Sequence, residues 1–193
     1  MWEYQGVLLI GGRSLRMGSP KSLLAHGSSN LAVFLCDLLT RVTGRSPMLL
    51  GEGPFEGPEL ARIPDREAGA GPLSAILGLY DALPHRSFLV LATDLYALNR
   101  DALTWLLEEV ANTNRPVVWP RFPGRPFGEP LAAIYSPEAR PILERRWAEG
   151  ERSLRRVFDD QQRHEPLIPA SFRLAFQGVN TPEELARLKT ELA

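Results

Sequence analysis

Residues 5–24, with the sequence QGVLLIGGRSLRMGSPKSLL, decide how the chain is expected to fold and what it is expected to bind. An apolar run from Val7 to Ile10 ends in Gly11 and Gly12. A short apolar run that is closed by glycines predicts a buried parallel strand followed by a tight turn. Because glycine lets the backbone bend and lets amide N–H groups approach a ligand, such a turn can form an anion-binding concavity.

Positive charges follow this turn at Arg13, Arg16 and Lys21. Guanidinium groups suit bidentate contact with phosphate, and an ammonium group acts as a point charge. Lys21 and Lys189 are the only lysines of the chain, which favours a role for Lys21. The pattern indicates a polyanionic ligand, most simply a triphosphate. It does not fit Walker A, because two residues separate Gly18 from the lysine, and the alternative is an ordinary loop with solvated basic side chains.

Length and composition predict one domain over residues 1–193. The net charge of −1 argues against a nucleic-acid surface, and no apolar run approaches the roughly 20 residues that span a membrane. The N-terminal residues lack the basic start of a secretory signal. Cys36 is the single cysteine, which excludes an intrachain disulfide and predicts a reducing, cytoplasmic location.

Strands alternate with helices in the hydrophobic pattern, which predicts an α/β fold: a mostly parallel sheet with helices on both faces, in three layers. A capping box is expected where Thr181 and Glu184 begin the last helix. The predicted strands after the first are 48–50, 61–65, 87–94, 116–120, 131–135 and 171–177, and the predicted helices are 29–43, 72–83, 101–111, 137–148, 153–161 and a last one from 182.

Asp94 ends the most clearly buried predicted strand, which begins at Ser87. Ligands of open α/β sheets bind outside the carboxyl ends of the strands, so we expect Asp94 at the same edge as the glycine turn. One carboxylate beside substrate phosphates suits Mg²⁺. A carboxylate that caps the next helix is the alternative, and the residues alone leave both open.

Residues 9–21, LIGGRSLRMGSPK, resemble the L-A-G-G-x-S-x-R-M-G-x-D-K signature of nucleotidyltransferases, in particular of the molybdenum cofactor guanylyltransferases of the MobA family. GPLSAI (71–76), EPLAAIY (129–135) and NTPEEL (180–185) resemble further family segments in the same order, so the resemblance covers the whole chain. The departures are Ile10, Pro20, Gly51, Tyr96 and Gly178, which stand where the family has other residues.

The resemblance implies a Rossmann-like nucleotidyltransferase fold and transfer of GMP from GTP to molybdenum-bound molybdopterin, with release of pyrophosphate. The N-terminal part would bind the nucleotide and the C-terminal part the acceptor. Molybdenum insertase or molybdoenzyme chaperones are implied as further partners, whereas nucleic acid and membranes are not.

The site residues implied by the resemblance form three groups. Arg16, Lys21 and Asp94 would be catalytic, with Mg²⁺ on Asp94. The nucleotide would contact Leu9, Ile10, Gly11, Gly12, Gly18, Lys21, Gly51, Asp65 and Asp94. The acceptor would contact Arg152, Arg155 and Asn180, although the two arginines could equally lie on a solvated helix face.

Two other functions remain open from the sequence. One is a related nucleotidyltransferase that uses CTP or a sugar 1-phosphate. Against it, cytidylyl relatives tend to have A-A-G where this chain has Gly11 and Gly12. The other is a non-catalytic nucleotide-binding adaptor of the same fold, which the departures at Pro20, Gly51 and Gly178 keep open.

Overall fold

The computed structural model describes residues 4–11 and 17–192 of the chain. Within this part, seven strands form one sheet, and two short strands form a separate antiparallel hairpin. The strands are β1 (Tyr4–Leu9), β2 (Ala25–His26) and β3 (Ser29–Asn30) of the hairpin, β4 (Met48–Leu50), β5 (Arg62–Ile63), β6 (Ser87–Ala92), β7 (Val117–Val118), β8 (Ala132–Tyr135) and β9 (Arg163–His164). The order across the sheet is β5-β4-β1-β6-β8-β7-β9.

Every neighbouring pair of strands in this sheet is parallel except the two pairs that involve β8. The apolar run of the first strand lies at the centre of the sheet, where Val7 and Leu8 are completely buried. A strand buried on both faces needs apolar side chains at successive positions, which is the pattern that the sequence shows. The predicted mostly parallel sheet is therefore confirmed.

Helices cover both faces of the sheet, as predicted. The described helices are α1 (Leu31–Thr43), α2 (Pro72–Ala82), α3 (Arg100–Glu108), α4 (Ala139–Ala148) and α5 (Pro182–Leu192). Helices α1 and α3 pack on the face to which Leu8 and Leu91 point, whereas α2 and α4 pack on the face of Val7 and Val90. This alternation follows from the two-residue period of a strand, and it yields the predicted three layers.

Local sequence signals mark where α1 begins and ends and where α2 begins, close to the predicted boundaries. The side chain of Asn30 accepts a hydrogen bond from the Val33 amide at 2.9 Å and begins α1. Gly44 ends the same helix with a φ of 71°, a left-handed conformation that glycine adopts without steric cost. Pro72 occupies the first turn of α2, where the missing N–H costs little.

Two predictions for the C-terminal third are wrong. The predicted helix over 153–161 is only a short 3₁₀ turn, Leu154–Arg156, because three buried apolar side chains span little more than one turn. The predicted strand over 171–177 is a 3₁₀ turn, Ala170–Phe172, followed by further turns. Phe172 and Phe176 both contact Trp105, with ring centroids 6.0 and 5.7 Å away, so their spacing of four reflects a helical turn.

Among residues 4–11 and 17–192, we find no helix with the length and apolar character that crossing a bilayer requires.

Candidate active site

The carboxyl ends of β1, β4 and β6 lie side by side at one edge of the sheet. Leu9 pairs with both Leu50 and Ala92, so the residues that follow these strands share this edge. Gly11, Gly51 and Asp94 are the residues that the sequence places there. The prediction that Asp94 lies at the same edge as Gly11, the described part of the predicted glycine turn, is therefore confirmed.

Lys21, Asp94 and Asn180 meet at this edge. The Lys21 Nζ donates a hydrogen bond to the Asn180 side-chain oxygen at 2.8 Å and lies 3.9 Å from a carboxylate oxygen of Asp94. The lysine side chain is only 14 % exposed, so its charge is held in place by protein groups. The structure thus joins two predicted catalytic residues to one predicted acceptor residue.

The segment 178–180 closes around Asp94. The Val179 amide donates to the Asp94 backbone carbonyl at 2.8 Å. A Cβ atom on Gly178 would lie only 3.1 Å from the Asp94 carboxylate. The departure at Gly178 therefore leaves this carboxylate accessible, with its side chain 32 % exposed.

The donor set at Asp94 fits a magnesium ion that shares its ligands with a substrate. Burial raises the pKa of Asp94, and the positive charge of Lys21 lowers it only in part. Within the described ranges 4–11 and 17–192, no cluster of three or more His, Cys, Asp or Glu side chains could hold a metal. Mg²⁺ often uses one or two carboxylates and completes its shell with water and phosphate oxygens, so one carboxylate at this edge is compatible with such an ion.

A cavity of about 850 Å³ opens beside Asp94. It is large enough for a ligand of several rings and phosphates. The charged and amide groups around it come almost entirely from the second half of the chain: Asp94, Arg125, Glu129, Arg152, Arg155, Arg173, Gln177, Asn180, Glu184 and Arg187. The excess of arginine suits an anionic ligand.

Both arginines that were predicted to bind the acceptor line this cavity. Arg152 stacks its guanidinium 3.8 Å above the Trp147 ring. Arg155 is paired with Glu129 at 3.1 Å. Both side chains are exposed beside the cavity, so the two interpretations, acceptor contact and a solvated position, stay predictions.

Glu129 was not among the predicted site residues. Burial raises its pKa, while Arg155 lowers it. It begins the segment EPLAAIY, whose likeness to a family motif was visible in the sequence, but its pairing with Arg155 was not.

A second cluster, the glycine floor, lies at the ends of β1 and β4 and consists of Gly11, Gly51 and Gly53 beside Asp65. Gly51 adopts a φ of +84°, and a Cβ on it would lie 3.4 Å from an Asp65 oxygen. That oxygen, Oδ1, is buried without a hydrogen-bond partner among the described residues. Burial raises the pKa of Asp65, and the charge of Glu52 raises it further.

Arg62 is another residue that the sequence did not single out. It donates to the Gly51 and Gly53 carbonyls at 3.0 and 2.9 Å, which holds the loop of the glycine floor. No local pattern marks this role, because Arg62 reaches back across the loop from β5.

The close approach of Gly53 to the Ile10 backbone leads to a testable prediction about stability. In Gly53→Ala the new Cβ would overlap the Ile10 carbonyl oxygen, so we expect the free energy of unfolding to fall by about 1–3 kcal/mol, as in overpacked cores. Gly11→Ala is the matched control, because among the described residues its Cβ would meet nothing closer than the Gly51 Cα at 4.0 Å. Urea denaturation of both variants checks this, and equal stability of the two would contradict the close approach.

The other predicted nucleotide residues fall into three sets. Leu9 and Ile10 are buried in the two cores, so only their backbone groups can face a ligand. Gly18 has a φ of 68°, and no atom of the described residues lies within 4 Å of the place that a Cβ would take. Gly12 and Arg16 lie outside the described residues, and their predicted roles stay predictions.

Cys36 does not contribute a nucleophile. It is buried in the core, and burial together with the charge of Asp37 raises the pKa of its thiol to about 12. A neutral thiol at this depth is inert.

The sheet order, Gly11 and Asp94 at one edge, and the cavity beside Asp94 are those of a nucleotidyltransferase fold. "Molybdopterin-guanine dinucleotide biosynthesis protein A" from Archaeoglobus fulgidus has this fold, with a TM-score of 0.74, 20% identity and coverage of 97% of this chain and 98% of that chain. "2-C-methyl-D-erythritol 4-phosphate cytidylyltransferase" from Thermus thermophilus has it too, with a TM-score of 0.65, 16% identity and coverage of 97% and 98%. At such identities the likeness shows the fold alone.

The family follows from the sequence match. The model of the MobA-like NTP transferase domain matches residues 6–166, so the chain belongs to the MobA-like NTP transferase family. A "Probable molybdenum cofactor guanylyltransferase" of Mycobacterium avium is 31% identical over 194 residues, covering 96% of this chain and 95% of that protein. A protein of the same name from Pyrococcus furiosus is 26% identical over 197 residues, covering 96% of each.

Proposed function

We propose that this nucleotidyltransferase transfers GMP from GTP to molybdenum-bound molybdopterin, which releases pyrophosphate and forms molybdopterin guanine dinucleotide. The observation that carries the proposal is the meeting of Lys21, Asp94 and Asn180 between the glycine floor and an arginine-lined cavity. The names of the relatives from Mycobacterium avium and Pyrococcus furiosus support the same reaction.

The proposed reaction divides the site between its two substrates. The N-terminal half binds the nucleotide over the glycine floor, and the C-terminal half binds the acceptor in the cavity. Lys21 neutralises charge on the triphosphate beside the turn after β1. Arg155 and Arg152 attract the anionic acceptor, whose terminal phosphate attacks the α-phosphorus in line. Because that phosphate is already ionised near neutral pH, no general base is needed, and catalysis rests on positioning and charge stabilisation.

Asp94 would hold the magnesium ion of this reaction. When bound, the ion supplies positive charge to the phosphate oxygens. Lys21, whose Nζ lies 3.9 Å from the carboxylate, would add its own positive charge beside the same phosphates.

Asp65 is the group that we propose reads the base. Its buried Oδ1 lacks a partner among the described residues, and a buried acceptor without a donor is costly. The N1–H and 2-amino groups of guanine present two adjacent donors to a carboxylate, which cytosine and adenine do not. Gly51 contributes only backbone beside this carboxylate, so base selection depends on Asp65.

Asp65→Asn tests the base assignment. An amide offers one acceptor and one opposing donor, so we expect kcat/KM with GTP to fall about 10- to 100-fold, the range for losing a hydrogen bond to a charged group. The control is Asp37→Asn, which removes the same charge from an exposed position on α1. Steady-state rates with GTP, CTP and ATP measure the change, and an unaltered preference for GTP would remove Asp65 from base recognition.

The reaction itself is tested by pyrophosphate release with Mg²⁺, the molybdopterin acceptor, and GTP, CTP or ATP in parallel. Release with GTP alone is the expected result. Release with CTP alone would keep the mechanism and change the base. Binding of nucleotide without release, in a preparation with competent acceptor, would indicate a non-catalytic adaptor.

The proposal includes a reducing, cytoplasmic location and action as one domain over residues 1–193. Cys36, the chain's only cysteine, supports the location. Molybdenum insertase or a molybdoenzyme chaperone is the proposed source or recipient of the pterin.

A further inference from the structure

The beginning of α5 is connected to Lys21 by two consecutive hydrogen bonds. The Glu184 carboxylate accepts from the Asn180 backbone N–H at 2.7 Å. The side-chain oxygen of the same Asn180 accepts from the Lys21 Nζ at 2.8 Å. Glu184, in the first turn of the last helix, thus fixes the backbone of Asn180, and Asn180 in turn binds Lys21. Lys21 and Asn180 are 159 positions apart in the sequence.

The function of Glu184 is not explained by helix capping alone. In a capping box the glutamate returns to the backbone N–H of the capping residue, which here would be Thr181. The Thr181 hydroxyl does accept from the Glu184 amide at 3.2 Å, which is half of that motif. The carboxylate, however, reaches one residue further back, to Asn180. The predicted capping box is therefore modified at its second bond.

The position of the lysine matters because its charge lies beside the Asp94 carboxylate at the edge of the sheet. The Nζ lies 3.9 Å from the Asp94 carboxylate, a distance at which the two charges attract without a short hydrogen bond. Asn180 can hold Lys21 there only if its own backbone is fixed. Glu184 and Asn180 both line the acceptor cavity, so the link lies where the two substrates would meet.

We propose that Glu184 is a positioning residue that acts on Lys21 through Asn180. The consequence for catalysis rests on the proposed function, in which Lys21 neutralises the triphosphate. The link itself is a property of the protein and can be measured without any substrate.

The first test uses the two lysines as reporters. In protein labelled at lysine with ¹⁵N and ¹³C, only Lys21 and Lys189 contribute side-chain NMR signals. Lys189 lies on α5 with its Nζ 5.3 Å from the Tyr96 ring, so it reports on the helix. We expect Glu184→Ala to shift the Lys21 signal and to leave Lys189 in place, and Glu184→Gln, which keeps an acceptor oxygen, to restore Lys21.

The matched control is Asn99→Ala, which removes the capping bond to the Ala102 amide at the start of α3. It removes a side-chain hydrogen bond to a backbone amide at the start of a different helix, from an exposed residue that does not line the cavity. An unmoved Lys21 signal in Glu184→Ala overturns the proposal. So does an equal shift in Asn99→Ala, an equal shift of Lys189, or a failure of Glu184→Gln to restore the signal.

The second test is a double-mutant cycle on pyrophosphate release. We expect Glu184→Ala to lower kcat about 10- to 100-fold, the cost of misplacing a catalytic group by about 1 Å. Asn180→Ala removes the bond to Lys21 directly, so adding Glu184→Ala to it should lower kcat little further. If the fold losses in kcat of the two single variants multiply in the double variant, the two residues act independently and the link is overturned. If no nucleotide is turned over, the proposed function fails while the lysine spectra still decide the link.

Discussion

Lys21→Ala is expected to lower the turnover of pyrophosphate release by about 10²–10³-fold, the cost of losing one preorganised group that stabilises developing charge. The lysine is held by the Asn180 oxygen at 2.8 Å and is largely buried, so solvent cannot replace its charge. Because it acts on the phosphates in the transition state, we expect kcat to fall more than KM rises. Rates at saturating GTP and acceptor measure the effect.

Lys189→Ala is the control for this prediction. It removes the only other lysine of the chain, an exposed residue of α5 that does not line the cavity, and should leave turnover within about twofold, as expected for a surface change. Lys21→Arg should not rescue the activity, since a planar guanidinium cannot occupy the place of a compact ammonium group. Near-normal turnover of Lys21→Ala would exclude the lysine from the mechanism.

Asp94→Asn is expected to lower turnover by about 10²–10³-fold, because an amide cannot supply the charge that holds a divalent ion. The fold should survive, since the contact to the Val179 amide uses the backbone carbonyl of residue 94. Rates measured over a range of Mg²⁺ concentrations check the assignment. The variant should need much more Mg²⁺ to reach its lower maximum, whereas Asp37→Asn should follow the unmodified protein.

The pH dependence of the same residue has a definite direction. Burial raises the pKa of Asp94, so its protonated form appears at higher pH than for a solvated aspartate. A protonated carboxyl cannot hold Mg²⁺, so activity should fall as pH falls through that pKa. Mg²⁺ favours the ionised form, and excess Mg²⁺ should therefore move the decline to lower pH. An acid limb unchanged in Asp94→Asn would contradict the role of Asp94.

Much of the fold could be predicted because its signals are local. The buried runs of β1 and β6, the cap at Asn30 and the left-handed Gly44 each act within a few residues of chain. Such signals depend on backbone geometry and on the burial of one strand or helix face, and both can be inferred from residues that are close in sequence. The prediction for residues 171–177 was wrong because a spacing of four places Phe172 and Phe176 on one face of either a strand or a helical turn. Only their shared contact with Trp105, which is distant in sequence, selects the helical turn.

Much of the candidate site could be predicted for a related reason. The place of Asp94 at the edge of the sheet follows from the rule that ligands lie at the carboxyl ends of parallel strands. The strand that precedes it, β6, has a clear apolar pattern. Two features could not be predicted: the Asp65 oxygen that has no partner among the residues the structure describes, and the pairing of Glu129 with Arg155. Burial of one oxygen and the choice of one partner depend on the packing of segments that are distant in sequence.

The sequence by itself determined the mostly parallel α/β sheet, the family, and the residue types at the glycine turn and Asp94. Only the tertiary structure decided that Asn180 holds Lys21, that Glu184 holds Asn180, and that an arginine-lined cavity opens beside them. The physical reason is range. Backbone and hydrophobic preferences act between near neighbours, whereas a hydrogen bond across 159 positions exists only after the chain has packed.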